Sequence, residues 1–263
     1  NAAVVKRSRQ VSGQLNAGIG FLMKKNKIDV IWGEATLAGG GKVNIAATKK
    51  PAVQPQHPVP KGVLGEGTYE AKHIIVATGA RPRVIAGSEP DGERILTWRQ
   101  VYDLEELPEH LVIVGSGVTG AEFCNAYTEL GVTVTVVASR DQILPHEDSD
   151  AAAVLEEVFN ERGVTLIKNA RADSVTRTDK GVRVAIADGR VVEGSHALMT
   201  VGSVPNTAGL GLDRIGVELK PGGYIPVDRV SRTPAPGVYA AGDCTGLLPL
   251  ASVAAMQGRI AMY

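Results

Sequence analysis

The chain has 263 residues with 28 basic and 28 acidic side chains, so its formal net charge is zero and its length allows two domains. Because the charge is balanced and no dense basic segment occurs, a polyanion-binding surface is not indicated and no nucleic acid partner is expected. The longest apolar runs are shorter than the ~18 to 20 residues of a membrane span, and no signal-peptide pattern opens the chain, so we predict a cytoplasmic protein without a membrane span.

The chain begins with a helical pattern and continues with short strands. Apolar residues recur at spacings of three, four and seven over residues 3–25, which predicts an amphipathic helix. A short strand is predicted at residues 28–32, followed by a turn-broken β-hairpin or meander over residues 33–45. Residues 48–67 carry four prolines and three glycines, which favours a surface loop over a domain linker because strand signals resume at Thr68.

An apolar strand at residues 73–76 then runs into Ala77, Thr78 and Gly79. These small residues allow something else to lie close to the backbone, although the A-T-G sequence alone is weak evidence for a ligand. Residues 83–110 contain two prolines and an acidic run and are predicted to be a loop. The change in composition places a domain boundary near residue 108.

The strongest functional pattern spans residues 111–138. An apolar strand at 111–114 is followed by Gly115, Gly117 and Gly120 at G-x-G-x-x-G spacing, then by a helix and a second apolar strand. The first glycine allows the tight turn, the second lets a pyrophosphate approach the backbone, and the third lets helix and strand pack closely. The phosphates would lie at the positive end of the helix. Because all four parts are present, we favour a dinucleotide site over a structural Gly-rich turn.

The end of the second strand bears on the choice of dinucleotide. NAD sites usually have an acidic residue about 20 positions after the glycines, whereas this chain has Ala138, Ser139 and Arg140. A serine hydroxyl and a guanidinium could bind a ribose 2′-phosphate, so NADPH is expected to bind at least as well as NADH. The alternative is that Arg140 is a solvated loop charge and the site is less selective. The residues assigned to the dinucleotide are Gly115, Gly117, Val118, Thr119, Gly120, Ala138, Ser139 and Arg140.

The remaining sequence predicts a helix at residues 149–162 and several short strands between 164 and 201. A later apolar strand ends at Gly242 and Asp243. A carboxylate at the C-terminal end of a strand faces the ligand crevice of an open α/β sheet, where it accepts hydrogen bonds from a polyol. The alternative is that Asp243 caps a helix that begins near Ser252.

The chain has two cysteines, Cys124 and Cys244. Their spacing fits neither a disulfide framework nor a C-x-x-C redox motif. Each is predicted to be a small buried hydrophobic residue rather than a reactive thiol. No metal site is predicted.

Four ordered motifs resemble those of a known family. They are V-A-T-G-A-R-P (76–82), G-S-G-V-T-G-A-E-F (115–123), G-S-V-P-N-T (202–207) and T-P-A-P-G-V-Y-A-A-G-D (233–243). On these motifs the chain resembles the FAD-dependent pyridine nucleotide-disulfide oxidoreductases, and within them it most resembles dihydrolipoamide dehydrogenase. From about residue 90 onward it resembles divergent members that act as NAD(P)H dehydrogenases on quinones.

The resemblance implies an α/β fold with two Rossmann-like three-layer (ββα-type) nucleotide-binding domains. Residues 1–108 and 233–263 would form part of an FAD-binding domain, with the NAD(P)-binding domain inserted at 109–232. The first FAD glycine fingerprint and a C-x-x-x-x-C disulfide are expected before Asn1, and a dimer domain after Tyr263. The chain therefore resembles the middle of a longer, homodimeric protein.

The resemblance also implies roles for individual residues. Asp243 would bind the flavin ribityl chain, and Ala251 would lie near the isoalloxazine. Glu122 matches a family glutamate that pairs with a lysine beside flavin N5, and it is the one catalytic assignment. The other residues assigned to cofactor on this basis are Ala35, Ala77, Thr78, Gly79, Gly202 and Gly242.

Three positions depart from the family pattern. Ala138 stands in place of the acidic ribose ligand, Ser203 in place of the arginine of G-R-x-P-N, and Ser252 in place of a histidine. These changes concern the selectivity for NADH and the lipoamide half-reaction, and they leave hydride transfer to FAD intact.

The leading hypothesis is a flavoprotein oxidoreductase, similar to dihydrolipoamide dehydrogenase, that transfers hydride between NAD(P)H and FAD. Its small-molecule electron acceptor or donor would be a lipoamide-type dithiol or a quinone. The alternative enzyme is an NAD(P)H quinone reductase or diaphorase, which needs no redox disulfide. A hypothesis of another class is a non-catalytic nucleotide-binding fragment, because the expected first flavin fingerprint does not lie within these residues.

Overall fold

The computed structural model describes residues 1–48, 59 and 61–263. Contacts divide the chain into two compact units, each formed by two segments of sequence. Unit 1 comprises Asn1–Val11 and Pro82–Gly202, and unit 2 comprises Ser12–Arg81 and Ser203–Tyr263. Most of the predicted surface loop at 48–67 lies outside the described residues.

The described residues form five α-helices, fifteen β-strands and two 3-10 helices. The helices are α1 (Ala2–Lys25), α2 (Trp98–Val101), α3 (Val118–Glu129), α4 (Ser149–Glu161) and α5 (Ala251–Ala261), with 3-10 helices at Asp213–Ile215 and Asp243–Thr245. The strands are β1 (Glu34–Gly39), β2 (Lys42–Ala46), β3 (Gly67–Glu70), β4 (Ile74–Val76), β5 (Ala80–Pro82), β6 (Ile95–Thr97), β7 (His110–Val114), β8 (Thr133–Val137), β9 (Thr165–Ile167), β10 (Ala172–Arg177), β11 (Val182–Ile186), β12 (Val191–Gly194), β13 (His196–Met199), β14 (Ser203–Pro205) and β15 (Val238–Ala240).

Unit 1 is organised around a five-stranded parallel sheet with the order β6-β13-β7-β8-β9. Successive side chains of a strand point to opposite faces of the sheet. In β7, Leu111 and Ile113 belong to one apolar cluster, which includes residues of α3 and α4. Val112 and Val114 belong to a second cluster, which includes residues of the antiparallel sheet β10-β11-β12. Both faces of β7 are therefore buried, which explains its unbroken apolar sequence.

The two clusters define three layers in unit 1: helices, the parallel sheet and the antiparallel sheet. This arrangement confirms the predicted α/β class and its ββα layering for this unit. The predicted strand, glycine turn, helix and second strand at residues 111–138 appear in order as β7, α3 and β8.

The compact units divide the chain at different residues from the predicted domains, whose boundaries lie at 108 and 232. The first difference arises because the predicted loop at 83–110 contains β6, which pairs with β13 at the edge of the parallel sheet. The same segment contains α2, whose first turn is closed by a capping box between Thr97 and Gln100. Sequence periodicity gave no sign of either element, because each is only three or four residues long.

Unit 2 contains an antiparallel sheet, β1-β2-β3, and two parallel strands, β4 and β15. Its apolar cluster joins residues of β1, β4 and β15 to Leu212, Val217 and Ile225. The segment after residue 202 therefore packs within unit 2 well before the predicted boundary at 232. The predicted hairpin at 33–45 is confirmed as β1 and β2.

The predicted strand at residues 28–32 is wrong. Only a single bridge between Ile31 and Leu64 occurs there, with Trp32 N–H donating to the Leu64 carbonyl. Ile28 is 52% exposed and Trp32 is 46% exposed. Without burial of one face, these apolar residues gain little from a regular strand.

The predicted first helix is confirmed as α1, although none of its residues is buried. Its beginning belongs to unit 1, in which the Asn1 side chain donates to the Leu104 carbonyl and Arg9 pairs with Asp103. None of the described helices is long and apolar enough to cross a membrane.

Phe159 provides a test of the packing between α4 and the parallel sheet, because it is 1% exposed in the apolar cluster of that face. Phe159→Ala should lower the free energy of unfolding by about 3 to 5 kcal/mol, since it removes a large buried side chain and leaves a cavity. Val154→Ala is the matched control on the same helix, because Val154 is 62% exposed, and it should change stability by about 0.5 kcal/mol or less. Urea denaturation of the full-length protein measures both, and equal losses would contradict this packing.

Candidate functional site

The three glycines after β7 have different surroundings. Gly115 has φ of +115°, and a Cβ there would overlap the Thr200 carbonyl oxygen. A Cβ on Gly120 would overlap the Gly115 carbonyl oxygen, so α3 approaches the end of β7 as closely as backbone atoms allow. A Cβ on Gly117 would have nothing within 4 Å. The first and third glycines are therefore required by packing, whereas the second leaves open space beside the backbone.

That open space lies at the N-terminus of α3. Gly117 is the N-cap and makes no side-chain cap, and the Ala121 N–H donates to the Gly117 carbonyl at 3.0 Å as the first helical bond. The N–H groups of Val118, Thr119 and Gly120 therefore have no carbonyl within the helix to which they can donate. Unpaired N–H groups and the helix dipole favour an anion at this place, so the residues fit the pyrophosphate of a dinucleotide.

Thr200, which follows β13, was not identified from the sequence. Its buried hydroxyl donates to the carbonyls of Val114 and Gly115 at 3.0 and 3.1 Å. These bonds hold the end of β7 in the position from which the glycine turn starts. A threonine after a short strand carries no motif, and only the pairing of β13 with β7 shows its role.

The loop after β8 has a buried start and an exposed end. Ala138 is 2% exposed, and its N–H donates to the Ile167 carbonyl at 2.8 Å. Ser139 and Arg140 are exposed, and the Arg140 carbonyl accepts from the Asn169 N–H at 2.9 Å. Within the described residues, the Arg140 guanidinium makes no ion pair. Its backbone is thus fixed while its charge remains available to a ligand.

The other two predicted residues of unit 1, Glu122 and Gly202, lie in different segments of the structure. Glu122 is exposed on α3, one turn after Val118. Gly202 follows β13 with φ of +93°, and its carbonyl accepts from the Arg83 N–H at 3.0 Å. The roles assigned to these two residues stay predictions.

Two predicted flavin motifs come together in unit 2. Strand β4 pairs with β15 in parallel, with Val76 opposite Ala240. Because parallel strands end at the same edge of a sheet, Ala77-Thr78-Gly79 and Ala241-Gly242-Asp243 leave the sheet side by side. This edge is the usual position of a ligand in an open α/β sheet.

The turn at Thr78 and Gly79 is held by Asn206, another residue that sequence reasoning did not single out. The Asn206 N–H donates to the Gly79 carbonyl at 2.9 Å, and its side-chain amide donates to the Thr78 carbonyl at 3.0 Å. Arg81 in turn donates to the Asn206 side-chain oxygen at 3.1 Å. The motif quoted as G-S-V-P-N-T contained this asparagine, but nothing in its sequence position showed the contact.

Asp243 does not cap the helix near Ser252. The N-cap of α5 is Leu250, which makes no side-chain cap, and Asp243 begins a separate 3-10 helix. The preceding Gly242 has φ of +81°, which favours glycine. Among the described residues no donor bonds the half-buried Asp243 carboxylate, so it fits an acceptor for a polyol.

The remaining two predicted flavin contacts also lie in unit 2. Ala35 is an exposed residue of β1, and Ala251 is the exposed first residue of α5. Their assignment to a flavin stays a prediction. Among the described residues, no group of three or more His, Cys, Asp or Glu side chains could hold a metal ion.

The two cysteines are buried and free, as the sequence predicts. Burial raises the pKa of the Cys124 thiol to about 11, and burial also raises the pKa of the Cys244 thiol. Because the thiolate is the reactive form, neither residue is a nucleophile at neutral pH.

A family model described as "Pyridine nucleotide-disulphide oxidoreductase" matches residues 2–258. The chain belongs to this family. The resemblance read from the four motifs is thereby confirmed, and the family uses FAD and NAD(P)H as cofactors.

Relatives of two kinds occur among the curated members of the family. The chain is 73% identical over 195 residues to a Mycobacterium tuberculosis protein named NAD(P)H dehydrogenase (quinone), which covers 74% of this chain and 40% of the relative. It is 44% identical over 265 residues to a dihydrolipoyl dehydrogenase of Rhizobium etli, covering 98% of this chain and 54% of the relative. The chain therefore spans about half the length of these relatives.

Solved structures show the same fold. The crystal structure of LpdA from Mycobacterium tuberculosis matches with a TM-score of 0.89 and 56% identity, over 100% of this chain and 55% of that protein. The flavoprotein disulfide reductase RclA of Escherichia coli matches with a TM-score of 0.83 and 25% identity, over 99% of this chain and 56% of that protein.

The contrast between the glycines gives a test of the family's dinucleotide turn. Gly117→Ala should leave the free energy of unfolding within about 1 kcal/mol of the parent, because the Cβ meets open space. It should weaken NAD(P)H binding roughly tenfold or more, because the Cβ separates the phosphates from the N–H groups of α3. Gly120→Ala should instead lower stability, since its Cβ overlaps the Gly115 carbonyl. Nucleotide titration and urea denaturation of the full-length protein separate the two effects, and unchanged NAD(P)H affinity in Gly117→Ala would contradict the assignment.

Proposed function

We propose that the full-length protein is a flavoprotein oxidoreductase that transfers hydride between NAD(P)H and FAD. The observation that carries the proposal is that one chain contains both an open glycine turn at a helix N-terminus and a pair of parallel strands ending in Thr78-Gly79 and Gly242-Asp243. The first fits a pyrophosphate and the second fits a polyol and a flat ring system.

In this proposal the residues of unit 1 bind and orient the dinucleotide. The turn from Gly115 to Gly120 holds the pyrophosphate, and the Ser139 hydroxyl and Arg140 guanidinium hold a 2′-phosphate. Glu122 supplies a negative charge that tunes the flavin environment, as the family resemblance implies. Gly202 is the remaining residue of unit 1 that the family resemblance assigns to cofactor binding.

The residues of unit 2 hold FAD, which supplies the hydride acceptor when bound. Asp243 accepts hydrogen bonds from the ribityl hydroxyls, and the backbone at Ala77, Thr78 and Gly79 contacts the flavin. Ala35 and Ala251 line the same cofactor. The chain's own contribution is therefore orientation and electrostatics rather than covalent chemistry.

Besides a lipoamide-type dithiol, which would donate electrons to FAD, we propose a second redox partner: a quinone, which would accept electrons from the reduced flavin. It is supported by the 73% identity to a protein named NAD(P)H dehydrogenase (quinone), whereas the relative named dihydrolipoyl dehydrogenase is 44% identical. Both described cysteines are buried, so a dithiol reaction would need thiols outside the described residues.

Steady-state assays of the full-length protein with NADPH or NADH decide between the hypotheses. Reduction of a soluble quinone without reduction of lipoamide supports a quinone reductase, and reduction of lipoamide supports a dihydrolipoyl dehydrogenase. A protein that binds NAD(P)H and reduces neither acceptor, and whose flavin spectrum is absent, would support the non-catalytic hypothesis and contradict the proposal.

We further propose that the full-length protein is a cytoplasmic homodimer, as its composition and the family resemblance imply. Sedimentation of the purified protein and fractionation of its native cells test these two points. A monomer in sedimentation would contradict the proposed homodimer.

Asp243 allows a direct test of the flavin site. Asp243→Asn should lower FAD retention roughly tenfold, because a carboxylate is a stronger hydrogen-bond acceptor for the ribityl hydroxyls than an amide oxygen. Asp213→Asn is the matched control, since both aspartates begin a 3-10 helix that ends at a left-handed glycine. Flavin absorbance after gel filtration measures retention in the full-length protein. Equal FAD content in the two variants would contradict the role of Asp243.

Arg140 and Ala138 allow a test of cofactor choice. Arg140→Ala should weaken NADPH binding about fivefold to tenfold and leave NADH nearly unchanged, since an exposed guanidinium-phosphate contact lies at the lower end of charge-assisted bonds. Ala138→Glu should favour NADH, because its carboxylate accepts from a 2′-hydroxyl and repels a phosphate.

Arg183→Ala is the control for this pair of variants, because Arg183 is an exposed arginine of β11 in the same unit. Ala138 is buried, so urea denaturation accompanies its titration. Equal loss of NADPH and NADH binding in Arg140→Ala, or tenfold preference of the parent for NADH, would show that residues 138–140 do not select the cofactor.

A further inference from the structure

Gln257 is a buried polar residue of α5 whose amide bonds the turn before Asp243. It is 7% exposed. Its side-chain oxygen accepts from the Gly242 N–H at 2.8 Å, and its side-chain nitrogen donates to the Thr245 hydroxyl oxygen at 3.4 Å. One amide therefore connects α5 to both ends of the segment that contains Asp243.

The Thr245 hydroxyl completes this connection. It donates to the Gly242 carbonyl at 2.8 Å, so both backbone groups of Gly242 are bonded within the same small network. The helix also contacts the turn directly, because a Cβ on Gly242 would lie 3.3 Å from the Ala254 Cβ. Together these contacts restrict the position of the Gly242–Asp243 turn relative to α5.

We propose that Gln257 is a positioning residue for FAD: its amide fixes the Gly242–Asp243 turn in the conformation that presents the Asp243 carboxylate to the ribityl chain. This inference deepens the proposed function and rests on it. Gln257 acts through Asp243 and does not itself touch the cofactor.

The choice of a glutamine at this position supports the inference. A buried amide is unfavourable unless its polar atoms are bonded, and an apolar side chain could be buried at this position without that requirement. Here both ends of the amide are used, and both partners belong to the one turn that carries the carboxylate. The same helix begins at Ala251, so Gln257 connects the helix that carries this predicted flavin contact to the turn that carries Asp243.

Gln257→Met in the full-length holoprotein removes both hydrogen bonds and keeps the length of the side chain. We expect the dissociation constant of FAD, measured by flavin fluorescence on dilution, to rise about tenfold. NADPH affinity should stay within twofold of the parent. Thr233→Val is the control for lost stability, because the Thr233 hydroxyl is buried in the same unit and bonds the Val238 carbonyl at 2.9 Å rather than a group of the Gly242–Asp243 turn.

A double-mutant cycle with Asp243→Asn distinguishes positioning from a structural role. If Gln257 acts through Asp243, Gln257→Met should raise the dissociation constant by less than about twofold in the Asp243→Asn background. Independent effects that multiply, or an increase no larger than that of Thr233→Val, would overturn the inference. If Gln257→Met gives no folded protein, Thr245→Val replaces it in every comparison, because it removes the hydroxyl that bonds both the Gln257 amide nitrogen and the Gly242 carbonyl.

The result also separates this inference from the proposed function. A parent protein that takes up no FAD would contradict both. A parent that binds FAD as tightly as its Gln257→Met variant would contradict the positioning role alone.

Discussion

The close approach of α3 to the end of β7 is the contact on which unit 1 depends. Gly120 lies against the Gly115 carbonyl, and Gly115 lies against the Thr200 carbonyl, so three backbone segments meet at this point together with the Thr200 hydroxyl. This contact fixes where α3 begins and therefore where its first N–H groups lie. The open space beside Gly117 follows from it, because the helix starts where the strand has just turned away.

In unit 2 the predicted ligand-binding turns are held by side-chain hydrogen bonds rather than by contacts between glycines. Its two predicted flavin turns follow a pair of parallel strands, and each turn is held by a side-chain amide from a later segment. Asn206 bonds the turn at Thr78, and Gln257 bonds the turn at Gly242. Amides suit this task because they donate and accept at once, and they carry no charge that would compete with the Asp243 carboxylate.

The sequence was sufficient for those parts of the molecule in which a local pattern determines the structure. The apolar run of β7, the glycine spacing and the helical period of α3 all follow from neighbouring residues, and each was predicted correctly. Thr200, Asn206 and Gln257 were missed because they act on partners 85, 128 and 15 positions away. Their chemistry is that of ordinary polar residues, and only the folded chain shows that each holds a turn. The strand β6 was missed for a related reason, since three residues are too few to show a period.

The division of the chain into units has a consequence for its synthesis. A ribosome completes every residue of unit 1 when it reaches Gly202, whereas the second segment of unit 2 begins only at Ser203. Domains generally fold as units while the chain is being made. We therefore expect the glycine turn to be formed in the nascent chain while the partners of β4 are still inside the ribosome.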